Sequence, residues 1–454
     1  MRGLRSTIAL AVVLIGLGAY IYFVTWKKSP TEGTESKQEK VFASIQEGKI
    51  DELRLKAVSG DTTTLKKADG GWQVVAPVTA RADDSAVSGI TSGLSSITVT
   101  RVVDEKPSDL KEYGLGEPRI DVAFKAAGDK DFRHLLLGEK SPTGDLFAMR
   151  AGENRVFLIP AYQEQTFNKS TFDLRDKTLI KFERDKVDGV EIVAGGKPLQ
   201  VAKDGGEWKI AKPVQARADF GSVEGLIGRL QSVQMKSIVT AEPSAADLKK
   251  YGLDRPETTV NLSLGSARAT LLVGGKADDN TVYVRDASKP IVMTVESALA
   301  DELKKGADDY RRKDIFEFRA FNATRLEMTR PGNNAQTVVF EKVKGQGADA
   351  QEKWRRVSPN AADVDRDKMD GLLSKLANLR ATSFTEPGAK TKTGLDSPAM
   401  TVFVKFEDGK KEERVTFGKV ENDAYAARPG EPGAAKIDAS DFNEAVKALD
   451  EISK

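Results

Sequence analysis

The chain has 454 residues, of which 39% are hydrophobic and 30% are charged, a composition typical of globular domains with modest cores. Its 70 basic and 68 acidic residues nearly cancel, which argues against a nucleic-acid-binding protein, since such proteins usually carry a net basic face. The absence of cysteine excludes disulfides, thiolate metal sites and cysteine nucleophiles.

The first predicted element is a transmembrane helix over residues 7–26, which would act as a signal-anchor. The run from Thr7 to Thr25 carries no charge, has about the length that crosses the hydrocarbon core, and is followed by Trp26 at the interface. A cleaved signal peptide is the alternative, although no convincing cleavage site follows the run. We expect residues 1–6 in the cytoplasm and the C-terminal body outside it, which in a bacterium means a single-pass inner-membrane protein facing the periplasm.

Residues 27–40 are predicted to be a polar linker, because they offer almost nothing to bury. Behind the linker we place three repeat domains at 41–172, 173–316 and 317–454. They are marked by a phrase that returns with unchanged spacing: a Trp, a Pro five residues later and an Asp eleven residues later. The three copies are Trp72, Pro77 and Asp83; Trp208, Pro213 and Asp219; and Trp354, Pro359 and Asp365. Recurrence of this kind indicates one structural unit repeated in tandem.

Each repeat is predicted to open with three short antiparallel strands, the third carrying its Trp into the core. The Asp is the residue type that caps a helix, and apolar residues then recur at spacings of three, four and three. These stripes are Val87, Ile90, Leu94 and Ile97; Val223, Leu226, Leu230 and Val233; and Met369, Leu372, Leu376 and Leu379. A Gly in the same place in each helix (Gly89, Gly225, Gly371) lowers helix stability, so we expect the helix backbone to approach the sheet closely there.

A second signature follows each helix: Tyr113-Gly114-Leu115, Tyr251-Gly252-Leu253 and Thr393-Gly394-Leu395. A strand with a period of two lies beyond it, and a further strand in each repeat carries Leu137-Gly138, Val273-Gly274 or Phe417-Gly418. The unit is therefore α+β, a mostly antiparallel sheet with one main amphipathic helix. Tyr113 and Tyr251 are the candidate partner-binding residues of this loop. The alternative is that both pack over the sheet edge.

Taken together, the N-terminal anchor, the Trp–Pro–Asp phrase, the Tyr-Gly-Leu signature and the Leu-Leu-Leu-Gly strand resemble the bacterial family called domain of unknown function 4340. The junction 172–177 looks like another mark of the family and has a loose echo at 310–314. The resemblance covers most of residues 41–454, and the third copy departs from it by having Thr393 for Tyr. It implies a membrane-bound accessory protein associated with ABC-2-type transporters related to gliding-motility components, and it carries over no catalytic residues.

The remaining candidates for chemistry have plainer structural interpretations. His134 is the only histidine and has no second His or Cys to work with, so we expect a structural or surface role. The acidic series that begins at Asp363 resembles a calcium loop, but Lys368 and Ser374 stand where such a loop needs Gly and Glu. An acidic first helical turn explains the series better. We predict no metal, no cofactor and no catalytic residue.

The sequence thus favours a non-catalytic scaffold or accessory subunit of an ABC-2-type transport or cell-envelope complex, anchored in the inner membrane with its body in the periplasm. The alternative is a periplasmic protein that binds polysaccharide or peptidoglycan, for which the three tryptophans could stack on sugar rings. Their fixed place on a strand just before the packing helix favours a core role instead. We expect protein partners and the membrane, and no nucleic acid.

Overall fold

The structure is a computed structural model that describes residues 39–43, 45–331, 336–344, 352–388 and 392–453. The described chain divides into two compact units, one ending at Lys177 and one beginning at Thr178. The predicted membrane helix at 7–26 and all but the end of the predicted linker lie outside the described residues. Within the described ranges, no helix has the length and apolar character needed to cross a membrane.

The first unit contains one nine-stranded antiparallel sheet. Its strands are β1 (Ile50–Lys56), β2 (Thr62–Ala68), β3 (Gly71–Ala76), β4 (Ala80–Arg81), β5 (Arg101–Asp104), β6 (Ile120–Ala126), β7 (Arg133–Lys140), β8 (Leu146–Arg150) and β9 (Val156–Ile159). They lie in the order β4-β3-β2-β1-β6-β7-β8-β9-β5. Two four-stranded meanders therefore meet where β1 pairs with β6, and β5 forms the edge beside β9.

The second unit contains two further sheets with the same order of strands. The strands of the second sheet are β10 (Gly189–Ala194), β11 (Lys197–Asp204), β12 (Glu207–Lys212), β13 (Ala216–Arg217), β14 (Ser237–Thr240), β15 (Thr258–Leu264), β16 (Ala267–Lys276), β17 (Thr281–Asp286) and β18 (Val292–Glu296). Those of the third are β19 (Ala323–Arg330), β20 (Gln336–Lys344), β21 (Glu352–Ser358), β22 (Ala362–Asp363), β23 (Ala381–Phe384), β24 (Met400–Phe406), β25 (Lys411–Val420), β26 (Asp423–Ala427) and β27 (Ala435–Ile437). The prediction of three mostly antiparallel tandem repeats is confirmed.

Two short strands in each repeat escape the sequence patterns. The fourth strand of each sheet has only two residues, too few for any alternation to be visible. The strand after the helix joins the far edge of the sheet, beside the last strand of the second meander. These strands extend each sheet at both of its edges.

One main helix in each repeat covers the sheet. The three are α1 (Asp84–Ser96), α4 (Phe220–Ser232) and α8 (Arg366–Ala377). Shorter helices are α2 (Gln163–Phe167), α3 (Thr171–Leu174), α5 (Ala245–Lys250), α6 (Ser297–Leu303) and α7 (Ala307–Tyr310), and a longer one, α9 (Ala439–Ser453), packs on α8 in the third repeat. Every residue of the three predicted helix stripes is buried, so these stripes face the cores. Burial of such side chains stabilises the fold by about 1.5–3 kcal/mol each.

Inside the second unit, a short segment, residues 310–316, belongs to both sheets. The carbonyl of Tyr310 accepts the N–H of Asp219 at 2.7 Å, which completes the edge of the second sheet. Three residues later the carbonyl of Lys313 accepts the N–H of Ala381 at 2.7 Å, which begins the third repeat. The second and third sheets are therefore joined without a spacer.

The first repeat closes in the same way. The carbonyl of Leu174 accepts the N–H of Asp83 at 2.9 Å, as Tyr310 does for Asp219. The N–H of Asp176 donates to the carbonyl of Arg81 at 2.8 Å. Residues 172–177 and 310–314, which are only loosely similar in sequence, are thus structurally equivalent. Leu174 corresponds to Tyr310.

Candidate functional site

The three recurrent tryptophans lie on the third strand of each sheet (β3, β12 and β21), which a two-residue strand separates from the main helix. Trp208 is 3% exposed and Trp354 is 6% exposed, while Trp72 is half-buried and packs against the core of its sheet. The indole N–H of Trp208 donates to Oε1 of Glu224 on α4 at 3.1 Å, which ties the strand to the helix. Buried ring faces cannot stack on a sugar, so this placement favours packing.

The Pro and Asp of the repeated phrase set the turn into the helix. The peptide bonds before Pro77, Pro213 and Pro359 are all cis. Each Asp is the N-cap of its helix and accepts bonds from the first turn, with donors Ser85 and Ala86 for Asp83, Ser222 for Asp219 and Lys368 for Asp365. All three members of the phrase therefore have a structural role in every copy.

The recurrent glycines of the three main helices do not approach the sheet, and our expectation for them is wrong. A Cβ atom added at Gly89, Gly225 or Gly371 would meet no heavy atom within 4 Å. Gly89 and Gly225 lie on the exposed side of the helix, because the buried stripe takes the other face. Nothing in the described chain explains why these positions hold glycine.

We therefore predict that Gly225→Ala stabilises the protein. Alanine fills open space at this position and raises helix propensity by about 1 kcal/mol, partly by restricting the unfolded chain. The measurement is the urea midpoint of the full-length chain followed by tryptophan fluorescence, which should rise. A lower midpoint would show that the position contacts something outside the described chain.

The glycines of the second signature, in contrast, make tight backbone contacts. Gly252 has φ +69°, a left-handed conformation that favours glycine. A Cβ atom on Gly274 of strand β16 would lie 2.2 Å from the carbonyl oxygen of Tyr251. The same clash would arise at Gly138 with Tyr113 and at Gly418 with Thr393. The two recurrent Gly motifs of each repeat recur because they pack on one another.

Tyr113 and Tyr251, the candidate partner-binding residues, pack in a small second cluster beneath this loop. Tyr251 is 9% exposed, and its ring lies 4.5 Å from that of Tyr283. Tyr113 is half-buried, lies 5.1 Å from the ring of Phe147, and donates its hydroxyl to Asp104 at 3.3 Å. Both side chains thus contribute to packing within their repeats.

The candidates for metal binding and acid–base chemistry are likewise held by neighbours. Nδ1 of His134 lies 2.9 Å from Oδ1 of Asp121 on the neighbouring strand, and both side chains are about one third exposed. Asp363 pairs with Arg355 at 3.6 Å while Asp365 caps its helix. Among the described residues, no group of three or more His, Cys, Asp or Glu is arranged to hold a metal ion.

A dense polar site of the second unit lies where its two repeats meet. Arg217, on the short edge strand β13, donates from Nε to Oε1 of Glu431 at 2.5 Å and from Nη1 to Oε1 of Glu317 at 3.2 Å. Its Nη2 also donates to the carbonyl of Asp314 at 3.1 Å. A single side chain of the second repeat therefore holds two points of the third repeat and one point of the shared segment 310–316.

Arg428, on the loop after β26, forms the second half of this site. Its Nη1 donates to Oε2 of Glu413 and to the carbonyl of Ile315, both at 2.7 Å. The carboxylate of Glu413 also accepts the N–H groups of Glu317 and Phe318 at 3.0 Å. The Glu413 side chain is only 3% exposed, so its charge depends on these partners.

Arg311 completes the site from the shared connecting segment. Its guanidinium lies 3.7 Å from the ring centroid of Phe384, and Nη2 lies 3.8 Å from Oε2 of Glu431. Burial lowers the pKa of Arg311 from its ordinary value, although Glu431 and Asp308 oppose that effect. We call these residues the junction cluster: Arg217, Arg311, Arg428, Glu317, Glu413 and Glu431. Their charges balance, so the cluster is suited to fixing two repeats together and not to attracting a charged substrate.

The junction cluster should make the free energy of unfolding depend on pH. Burial by itself raises the pKa of Glu317, but Arg217, Arg428 and Arg312 outweigh burial and lower it below the ordinary 4.5. A lowered folded-state pKa adds stability above the unfolded-state value, and that stability is lost as pH falls through the folded-state value. We therefore expect the stability difference between wild type and Glu317→Gln, measured as urea midpoints, to be largest near pH 7 and to shrink below pH 4.5. A difference that does not change with pH would contradict this account.

The junction cluster as a whole leaves no pattern in the sequence, although one signal for Arg217 is visible there. Arg81 and Arg217 both stand two residues before the capping Asp, within the repeated tetrapeptide Ala-Arg-Ala-Asp. The third repeat has Asp363 at this position. Arg81 pairs with Asp84, three residues later, at 3.3 Å. The spacing could therefore have flagged Arg217, but not its partners, which lie about 100 and 200 residues further along the chain.

One family model matches the chain three times. The family is described as a domain of unknown function, DUF4340, and the matches cover residues 72–209, 208–392 and 354–454. Each match begins at the Trp of a repeat, two strands after the corresponding sheet begins. No curated protein and no solved structure shows significant similarity to the chain. The sequence unit of the family is therefore out of phase with the folded unit, since the first two strands of the second and third sheets belong to the preceding match.

Proposed function

Since the chain belongs to the DUF4340 family, we propose that it is a non-catalytic, membrane-anchored scaffold that serves as an accessory subunit of an ABC-2-type transport or cell-envelope complex. One observation carries the proposal. Apart from Gly89, Gly225 and Gly371, the recurrent residues described above are used for packing, helix capping and backbone contacts, so that what each repeat provides is a rigid sheet. Rigid tandem domains are suited to holding other subunits at fixed positions.

The membrane part of the proposal rests on residues 7–26, whose length and flanking residues suit a single span. The body would then lie in the periplasm. Because the chain has no cysteine, a single thiol introduced by Asp279→Cys, an exposed position, reports its compartment. It should react with a membrane-impermeant maleimide in intact cells, whereas a thiol introduced by Gly3→Cys should react only after lysis. The reverse pattern would contradict the orientation.

The scaffold part is tested by co-purification. The tagged full-length chain is purified from detergent-solubilised membranes, beside an unrelated tagged single-pass protein that controls for adventitious binding. Enrichment of transporter subunits with the chain alone is expected. Their absence, together with retention of the chain on a polysaccharide or peptidoglycan resin, would favour the glycan-binding alternative and overturn the proposal.

The junction cluster supplies a matched variant for the same experiment. If the chain holds partners through the fixed geometry of its second and third repeats, then Arg217→Ala should weaken recovery of those partners. Arg81→Ala changes the corresponding residue of the first repeat, which is half exposed and pairs with its helix neighbour Asp84. This control should leave recovery unchanged. Equal recovery from both variants would show that partner binding does not need the junction.

A further inference from the structure

The junction between the second and third repeats joins a loop to a sheet edge. The loop follows β26 and contains Glu431, whose Oε1 accepts from Nε of Arg217 on the edge strand β13 at 2.5 Å. Around this ion pair, residues 213–215 of the edge and residues 430–432 of the loop line one groove. The two side chains of the pair are only 16% and 18% exposed. A glutamate-bearing loop of one repeat therefore docks on an arginine-bearing edge of the repeat before it.

The first repeat has a loop of the same construction after β8. Residues 150–154 match residues 428–432 in the positions of arginine, glycine and glutamate, and the two glycines have φ +84° and +81°. The guanidinium donates to a backbone carbonyl in both loops, at 3.0 Å from Arg150 and 2.7 Å from Arg428. The N–H of the glutamate donates to the carbonyl of that arginine, at 3.2 and 3.3 Å. The two loops are therefore shaped alike, and Glu153 is the glutamate that the first one presents.

The first repeat also has an edge of the same construction, between β3 and β4. Residues 77–83 read Pro-Val-Thr-Ala-Arg-Ala-Asp, and residues 213–219 of the second repeat read Pro-Val-Gln-Ala-Arg-Ala-Asp. Yet the side chain of Arg81 is 48% exposed, and Val78 is 44% exposed. The edge of the first repeat thus offers to solvent the kind of surface that a loop covers in the second repeat.

The other loop and the other edge do not fit this contact. The loop of the second repeat has Asp286 and Lys289 at the positions of arginine and glutamate, so its charges are reversed. The edge of the third repeat has Asp363 where the arginine would stand, with a side chain that is 98% exposed. Among the described residues, Glu153 and Arg81 are therefore the complementary pair of this kind that the junction does not use.

We propose that a second copy of this chain docks through this pair. Its residues 150–154 lie on residues 77–81 of the first copy, and its Glu153 accepts from Arg81, as in the junction between the second and third repeats. Because the loop and the edge belong to the same repeat, each copy offers both halves, and the contact is heterologous. The inference goes beyond the proposed scaffold function, since it joins copies of the chain through their first repeats.

Little has to be broken for this contact to form. Arg81 pairs with Asp84 at 3.3 Å and Glu153 pairs with Arg150 at 2.7 Å, and such local pairs at the surface contribute little stability. Docking covers Val78 and shields the new ion pair from water, which strengthens the attraction between its charges. The same charges disfavour the reversed loop of the second repeat and the acidic edge of the third.

The test is a cross-link between two full-length variants, since the chain has no cysteine of its own. Val78→Cys and Asn154→Cys introduce thiols at two exposed positions, which match Val214 and Pro432 on the two sides of the junction groove. The two purified variants are mixed and treated with a short bismaleimide. The mixture should give a covalent dimer whose yield rises with concentration, whereas either variant alone should give little. No dimer from the mixture at any concentration overturns the proposal.

Charge reversal identifies the ion pair. Adding Arg81→Glu to the Val78→Cys copy should lower the dimer yield about tenfold or more, because like charges then meet at the contact. Adding Glu153→Arg to the Asn154→Cys copy should have the same effect. Mixing the two reversed copies should restore the dimer, and restoration excludes misfolding as the cause of either loss. A yield that ignores the reversals, or that the combination does not restore, overturns the proposal.

The third repeat supplies a matched control for the edge. Asn360→Cys places a thiol at the position that corresponds to Val78, beside Asp363, and should give no dimer with Asn154→Cys. An equal yield from this control would show random collision and would overturn the assignment. Since the contact does not involve the junction cluster, Arg81→Glu should leave co-purification of transporter subunits unchanged. The two proposals can therefore fail separately.

Discussion

The Gly274→Ala variant is expected to lower the free energy of unfolding of its repeat by about 3 kcal/mol, at the upper end for overpacking of one methyl group. The added Cβ would lie 2.2 Å from the carbonyl oxygen of Tyr251 and 3.1 Å from Cγ of Leu253. Neither atom is the free end of a flexible side chain, so relief requires the loop to separate from strand β16. Such separation also uncovers the cluster around Tyr251.

The measurement is the urea midpoint of the full-length chain, followed by the fluorescence of the buried Trp208 in the same repeat. Gly225→Ala is the matched control, because it makes the same chemical change on the open side of helix α4 and should move the midpoint upward. Opposite signs for two Gly→Ala changes in one repeat would locate the effect in the contact with Tyr251. A Gly274→Ala variant as stable as wild type would show that this contact is not rigid.

Periodicity was enough to predict the repeated unit. The Trp–Pro–Asp spacing predicts one unit three times, and the stripe from Met369 to Leu379 is buried as a 3.6-residue period requires. Periodicity could not show which structural role makes a given residue recur. Gly225 and Gly274 recur equally, yet Gly225 faces open space and Gly274 lies against the carbonyl of Tyr251. The difference depends on contacts between residues that are distant in sequence, which a spacing pattern does not contain.

A site that occurs in only one repeat depends on residues that differ from those of the other two repeats. A comparison that looks for recurring residues passes over such differences. Thr393 was visible in the sequence as a departure from Tyr. The third repeat has a cavity of about 460 Å³ beside Thr393, and such a cavity needs small side chains at several positions at once. Ala427 and Ala434 are brought beside Thr393 only by the pairing of β26 and β27 with the rest of the sheet. In the same way Glu413 is an unremarkable strand residue until the fold places Arg428 against it.

The second large effect is expected at the ion pair of Arg428 and Glu413. Arg428→Met should lower the free energy of unfolding by about 3–5 kcal/mol, the usual cost of leaving a buried charge without its partner. Methionine keeps much of the side-chain volume, so the loss is electrostatic and not a cavity effect. Glu413 would still accept two backbone N–H groups, but it would have no cation within hydrogen-bond distance among the described residues.

The double variant Arg428→Met with Glu413→Gln decides whether the cost comes from the unpaired charge. The amide oxygen of glutamine can still accept from the N–H groups of Glu317 and Phe318, while the buried negative charge is gone. The double variant should therefore be more stable than Arg428→Met alone, a coupling that a double-mutant cycle of urea midpoints measures directly. If the two changes simply add, Arg428 acts mainly through its bond to the carbonyl of Ile315. The junction would then be held by backbone contacts, and buried charge would add little to its geometry.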